Sequence, residues 1–263
     1  MRIVVKVGTS TLAHPTGRLN IRRVEELVKV LSDLKNAGNQ LVLVSSGAIG
    51  MGVGKLNLPG RPADMPTKQA AAAVGQCELM YTYDKLFAQY NHTVAQLLLT
   101  AEDVNYPTRR QNFVNAVSRL LELNALPVVN ENDAVATDEV GVATTIGEND
   151  TLSAIVAQCV GAELLILLSD INGLYTADPR RDDHAALIPE VREITPELRA
   201  LAGAPGSALG TGGMATKLKA AEIAMACGCD MVIANGQRPE LLYDIVTAGA
   251  HTGTRFIGRR EGK

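Results

Sequence analysis

The chain has 263 residues, 46% of them hydrophobic and 20% charged, enough for one large core or two lobes and too apolar for a disordered protein. A formal net charge of -3, with six Tyr, three Phe and no Trp, offers neither a basic field nor a stacking surface, which excludes nucleic acid and anionic membrane as main ligands. No apolar run approaches the roughly 18 residues of a membrane helix, and Ile3-Val4-Val5-Lys6 is too short for a signal-peptide core, so a cytoplasmic protein with no membrane partner is expected.

Taken in chain order, short apolar runs at Ile3 to Val7, Leu41 to Val44, Val94 to Leu99, Leu126 to Val129, Leu164 to Leu168 and Met231 to Ala234 predict strands buried on both faces. Between them, Ile21 to Asn36, Lys68 to Tyr90, Arg110 to Leu123, Thr151 to Val160 and Met214 to Cys227 predict helices. Gly38 is placed as a left-handed C-cap of the first. Buried strands separated by helices imply an α/β fold with a mainly parallel sheet. The longest irregular stretch is expected from Gly173 to Gly213, a length typical of functional or mobile loops. A soft lobe boundary falls near Leu168, where it could divide two halves of one sheet.

Glycine clusters follow strands at Lys6-Val7-Gly8-Thr9-Ser10 and Ser45-Ser46-Gly47-Ala48-Ile49-Gly50, and a third, Gly210-Thr211-Gly212-Gly213-Met214, leads into the last predicted helix. Such turns let backbone N–H groups approach an anion, and helix N-termini favour negative charge. Any one of them could be a simple tight turn; three at one sheet edge suggest a phosphorylated ligand. Neither the P-loop nor the Rossmann glycine spacing is present. Lys6 ends a buried strand and would be costly to desolvate without an anion. Lys217 reads equally as a ligand group or a surface lysine. Asp150 reads as an N-cap for a helix beginning at Thr151, as a group that aims the lysines, or as both. Asn130-Glu131-Asn132-Asp133 could be a polar turn or a reader of an amino acid's ammonium and carboxylate. Cys77, Cys159, Cys227 and Cys229 form no disulfide framework. Cys227-Gly228-Cys229 lacks the second pair of a metal clip and reads as small buried residues at a helix end. His14, His92, His184 and His251 lack metal-ligand spacing.

With Asn130-Glu131-Asn132-Asp133-Ala134-Val135, Gly147-Glu148-Asn149-Asp150, Ser169-Asp170-Ile171-Asn172-Gly173-Leu174-Tyr175 and Gly210-Thr211-Gly212-Gly213-Met214-Ala215-Thr216-Lys217 following the first two clusters in this order, the chain resembles the glutamate 5-kinases of the amino acid kinase family from its N-terminus to about Phe256. The resemblance implies a three-layer α/β/α sandwich, one kinase domain over residues 1–263, with L-glutamate in an N-lobe of about 1–168 and ATP in a C-lobe of about 169–263. It implies that Lys6 contacts the transferring phosphoryl group and that Ser46, Asp133 and Asn149 hold glutamate. Ser169, Asp170 and the segment Thr211, Gly212, Gly213, Met214, Ala215, Thr216, Lys217 would line the nucleotide site together with Lys6. Lys217 would neutralise phosphate charge and Asp150 would organise the two lysines. The implied reaction uses ATP and Mg²⁺ to phosphorylate the glutamate side chain, the first step of proline biosynthesis, often with proline as inhibitor and in a homo-oligomer (dimer or tetramer). The PUA module that many relatives carry is expected to be absent, since the chain ends at Lys263. Glu148 stands where an aspartate is common and Cys77 where a serine is frequent.

The implied acceptor is ionised at neutral pH, since a glutamate carboxyl has a reference pKa near 4.3. No general base is then required, in keeping with the lack of a candidate catalytic histidine. Competing readings are a kinase of the same family with another acceptor, and a non-catalytic nucleotide or amino-acid sensor. Pure binding would not need Lys6, Asp150 and Lys217 together.

Overall fold

The computed structural model describes residues 1–259 apart from 15, 17, 136–148, 178, 180, 181, 203–212 and 249–251. The six apolar runs all form strands: β1 (Arg2–Val7), β2 (Gln40–Ser45), β3 (Val94–Leu99), β4 (Leu126–Glu131), β5 (Leu164–Ser169) and, after a two-residue β6 (Glu190–Val191), β7 (Asp230–Asn235); β8 (Thr254–Phe256) closes the set. They build one sheet in the order β3-β4-β2-β1-β5-β7-β8-β6. The first six strands are parallel, while β8 runs antiparallel to β7 and parallel to β6. The sheet is continuous across Leu168, which lies inside β5 between β1 and β7.

The helices are α1 (Thr9–Leu12), α2 (Ile21–Asn36), α3 (Ala48–Lys55), α4 (Met65–Ala88), α5 (Ala101–Asn105), α6 (Pro107–Glu122), α7 (Asn149–Val160), α8 (Pro196–Ala202), α9 (Met214–Ala226) and α10 (Leu241–Tyr243), the last continuing into a π-turn, Asp244–Ala248. Period-two alternation divides each central strand between two cores. Val4, Val42, Val44, Leu165 and Leu167 pack with Phe113 and Val117 of α6, Leu152 and Val156 of α7 and Leu218 of α9. Ile3, Val5, Leu41, Leu43 and Ile166 pack with Leu27 and Leu31 of α2 and Leu79, Tyr83 and Phe87 of α4. Helices thus cover both faces, which is the expected α/β/α sandwich. All six residues of β5 are buried, as a strand sandwiched between two helix layers requires.

Several sequence expectations need correction. Helix α4 begins at Met65 rather than Lys68, because Asp64 caps it, accepting hydrogen bonds from the Thr67 N–H (2.9 Å) and hydroxyl (2.7 Å). Helix α7 begins at Asn149, so Asp150 lies in its first turn and is not an N-cap ahead of Thr151. The stretch expected to be irregular contains β6 and α8. Of the Cys227/Cys229 pair only Cys229 is buried; Cys227 is exposed, and all four cysteines are free. Gly38 does follow α2 in the left-handed region (φ 92°), and the Asn39 N–H returns to the Leu34 carbonyl (3.3 Å) as a C-terminal cap.

Helix α3 was hidden by its glycines, and the structure shows what they do. A Cβ on Gly52 would lie 1.8 Å from the Ala71 carbonyl oxygen, and one on Gly75 1.8 Å from that of Ala48. Helices α3 and α4 therefore touch backbone to backbone, which fixes the start of α3 relative to α4.

Candidate active site

Parallel strands deliver their C-terminal ends to one edge of the sheet, and most of the described candidate residues lie there. Lys6 sits near the end of β1, paired between Val44 of β2 and Leu167 of β5. Ser46 follows β2, Asn130 and Asp133 close β4 and its turn, and Ser169 ends β5. Gly47, at φ 102°, takes a left-handed conformation that lets the chain turn from β2 straight into α3. Gly8 follows directly, with the Lys6 ammonium 3.5 Å from the position a Cβ there would take, an ordinary van der Waals contact.

Helix α7 crosses this edge with its N-terminus. Asp150 takes Lys6 Nζ at 2.7 Å on Oδ1 and Lys217 Nζ at 3.0 Å on Oδ2. The side chains are 12%, 1% and 7% exposed for Lys6, Asp150 and Lys217. Thr216, one residue before Lys217, also reaches Asp150 Oδ2 (3.3 Å) while its hydroxyl donates to the Gly213 carbonyl (2.7 Å). Burial alone would push the Asp150 carboxyl up, but the charges of Lys6 and Lys217 and their hydrogen bonds outweigh it and hold the group below the usual carboxylate range. Two ammonium groups against one carboxylate, almost out of water, make a site suited to a further anion.

The residue before Asp150 faces the other way. Asn149 Nδ2 donates to Ser46 Oγ (2.8 Å) and to Asn130 Oδ1 (3.2 Å), and its own Oδ1 is buried without a partner among the described residues. Asn130 Nδ2 donates to Gln76 Oε1 of α4 (2.8 Å). Beyond Gln76 opens a cleft of about 340 Å³ lined by α4, the end of β3 and the turn after β4, including Gln96, Asn132 and Asp133. Burial pushes the Asp133 carboxyl up, opposed by the charge of Arg61.

The structure thus brings together Lys6, Asp150 and Lys217 in one group, and Ser46 and Asn149 in another that continues through Asn130 to Gln76; Asp133 lines the cleft that Gln76 also lines. Ser169 Oγ donates to Asp170 Oδ1 (3.2 Å) at the end of β5. Gly213, Met214, Ala215 and Thr216 open α9 ahead of Lys217. Thr211 and Gly212 lie outside the described residues, as do Gly147, Glu148 and His251. Gln76 is the functional candidate that sequence reasoning missed; its only signal was a polar side chain directly after the run Ala70 to Gly75. Among the described residues no group of three or more His, Cys, Asp or Glu could hold a metal ion, and no helix is long and apolar enough to cross a membrane.

Comparison with known proteins gives the family and the fold. The model of the amino acid kinase family matches residues 1–235. A glutamate 5-kinase of Clostridium perfringens is 51% identical over 259 residues, 98% of this chain and 96% of that protein. One of Listeria welshimeri is 50% identical over 260 residues, 99% of this chain and 94% of that protein. Among solved structures, carbamate kinase from Giardia lamblia bound to AMP-PNP superposes with a TM-score of 0.68 at 17% identity, covering 98% of both chains. The isopentenyl phosphate kinase of T. acidophilum superposes at 0.64 and 17% identity, covering 97% of this chain and all of the other. These last two speak to the fold alone.

Proposed function

The chain belongs to the amino acid kinase family, in its glutamate 5-kinase branch, and we propose that the residues assembled at the sheet edge carry out that branch's reaction. It is an ATP-dependent kinase that phosphorylates the side-chain carboxylate of L-glutamate to L-glutamyl 5-phosphate, the first step from glutamate toward proline. The observation that carries the residue assignment is the pair of buried lysines on one buried carboxylate, next to a buried amide group that runs to Gln76 at the edge of a cleft.

Glutamate at neutral pH is a nucleophile that needs no deprotonation. The difficulty of the reaction is the approach of one anion to another, so the protein's work is alignment and charge neutralisation. Lys6, at the junction of both halves, contacts the transferring phosphoryl group. Lys217, at the start of α9, neutralises the phosphates from the nucleotide side. Asp150 holds both ammonium groups apart and aimed, on separate oxygens. Ionised glutamate carries a single donor group, its ammonium, and the orphan Asn149 Oδ1 and the Asp133 carboxylate are acceptors for it. Ser46 fixes the Asn149 amide from the other side. The glutamate half comprises about 1–168, and Ser169, Asp170 and the segment Thr211 to Lys217 line the nucleotide in the remainder. Magnesium enters as part of the MgATP substrate, bound through phosphates and water in its usual manner. Cytoplasmic location, assembly into a dimer or tetramer, and inhibition by proline belong to the same proposal.

The test is MgATP-dependent formation of a hydroxamate from the trapped acyl phosphate, with ADP release recorded alongside. Signal with L-glutamate and none with aspartate or N-acetylglutamate is the expected result. Folded, ATP-binding protein that yields hydroxamate with none of them would overturn it.

A further inference from the structure

The polarity of the buried amides can be followed outward from one backbone donor. The Glu131 N–H donates to Asn130 Oδ1 (2.9 Å), which fixes that end of the Asn130 amide as oxygen. Asn149 spends its Nδ2 on the same oxygen and on Ser46. The other end of Asn130 is therefore its NH₂, and this donates to Gln76 Oε1 (2.8 Å). Rotating the Gln76 amide would set two NH₂ groups against each other, so its orientation is determined as well. What remains is Gln76 Nε2, on a residue 8% exposed, a buried donor with no hydrogen-bond partner among the described residues. Gln76 lines the cleft that also holds Asp133. Buried donors are rarely left unpaired, and such a group is satisfied when a ligand supplies the acceptor.

Glutamate brings two carboxylates. The γ-carboxylate must face the phosphoryl group at Lys6, which leaves the α-carboxylate for the cleft under α4. The Asp133 carboxylate repels it and attracts the ammonium, so the two groups read opposite ends of the zwitterion. We propose that Gln76 is a specificity-determining residue for the acceptor, its Nε2 donating to the α-carboxylate, and that Asn130 is the positioning residue that keeps this donor turned toward the substrate. The inference rests on the cleft being the glutamate site.

The experiment compares L-glutamate, its α-carboxamide (isoglutamine) and 4-aminobutanoate as acceptors, by ADP release at saturating MgATP. Wild-type protein is expected to favour glutamate over 4-aminobutanoate by at least about 10²-fold in kcat/KM, because a site built to bond a group rejects the analogue that lacks it. Gln76→Glu keeps the shape and still accepts from Asn130 but replaces the donor by an acceptor. It should lower kcat/KM for glutamate by about 10–100-fold, chiefly through KM, leave KM for ATP unchanged, and shift the preference toward isoglutamine by a similar factor. Asn130→Asp, which frees Gln76 to turn its oxygen outward, should shift the preference the same way. A merely structural role would lower activity with all acceptors alike. An unchanged glutamate-to-isoglutamine ratio in either folded variant, or wild-type protein indifferent to loss of the α-carboxylate, overturns the inference while leaving the kinase reading intact. Wild-type protein inert toward glutamate overturns both.

Discussion

Replacing Asp150 by Asn changes almost nothing in shape and removes the charge that holds two lysines. Asp150 is buried, with Lys6 and Lys217 at 2.7 and 3.0 Å on its two oxygens. Removing one partner from a buried ion pair costs about 3–5 kcal/mol, because the remaining charge keeps its desolvation penalty without compensation. Here two ammonium groups lose the same partner, so a cost in that range is expected for the ligand-free protein. Losing the aim of one preorganised donor lowers a rate by about 10²–10³-fold, and with two donors affected kcat should fall by about 10³-fold. ATP brings its own negative charge to the two lysines, so KM for ATP should stay within about threefold of wild type, by the same reasoning that separates transition-state from ground-state contacts. The assay is steady-state ADP release with both substrates varied, beside urea denaturation at pH 7 and at acid pH. The stability term has a definite sign. The folded carboxyl is held below its ordinary value near 3.8, so its contribution is complete above that value and disappears as the pH falls below it. Wild type and Asp150→Asn should therefore converge in strong acid and differ at pH 7. A variant that loses stability yet turns over within about tenfold of wild type would reduce Asp150 to a counterion and refute the mechanism.

Three further outcomes are expected. Lys217→Ala should lower kcat by about 10²–10³-fold, and a near-normal kcat in folded protein would remove Lys217 from the chemistry. Asp133→Asn should raise KM for glutamate at least about tenfold and leave KM for ATP unchanged, since one charge-assisted bond to the ammonium is lost. Because burial raises the Asp133 carboxyl, its ionised form works against folding above its ordinary value near 3.8; the variant should unfold at higher urea than wild type at pH 7, and a lower midpoint would contradict the burial argument. Gly75→Val would drive a Cβ to 1.8 Å from the Ala48 carbonyl, costing about 1–3 kcal/mol or more and raising KM for glutamate as Ser46 moves with α3; an unchanged urea midpoint would show that the helices can separate freely.

What the sequence revealed depended on length and context. Six strands were legible because each is a buried apolar run, whereas β6 and β8, at two and three residues, are too short to carry a period. Glycines at 50, 52 and 54 argue against a helix by propensity, yet α3 forms there, and Gly52 together with Gly75 of α4 permits its close contact with α4. Lys217 could not be distinguished from a surface lysine by spacing, since nothing local says that α7 will lie between β1 and α9; the residues left the role of Asp150 open between cap and lysine partner, and the fold supplies the distances. Gln76 stayed unread because its importance comes from Asn130, 54 residues away, and beyond that from a backbone N–H.

Of the strands described, the first in chain order lies in the middle of the sheet. One edge of β1 is covered as soon as β2 is made, but the other stays open until Leu164–Ser169 has emerged. An unpaired strand edge invites pairing with other chains, and the charged Arg2 and Lys6 are the features of β1 that discourage it in the interval. Lys6 then finds Asp150 only when α7 docks, and Lys217 joins them only with α9. Non-local closure of this kind is slow and leaves the centre of the molecule for last. On the proposed mechanism a chain able to transfer phosphate has thereby already paired both edges of β1 and docked α7 and α9, so turnover reports that assembly as well as intact chemistry.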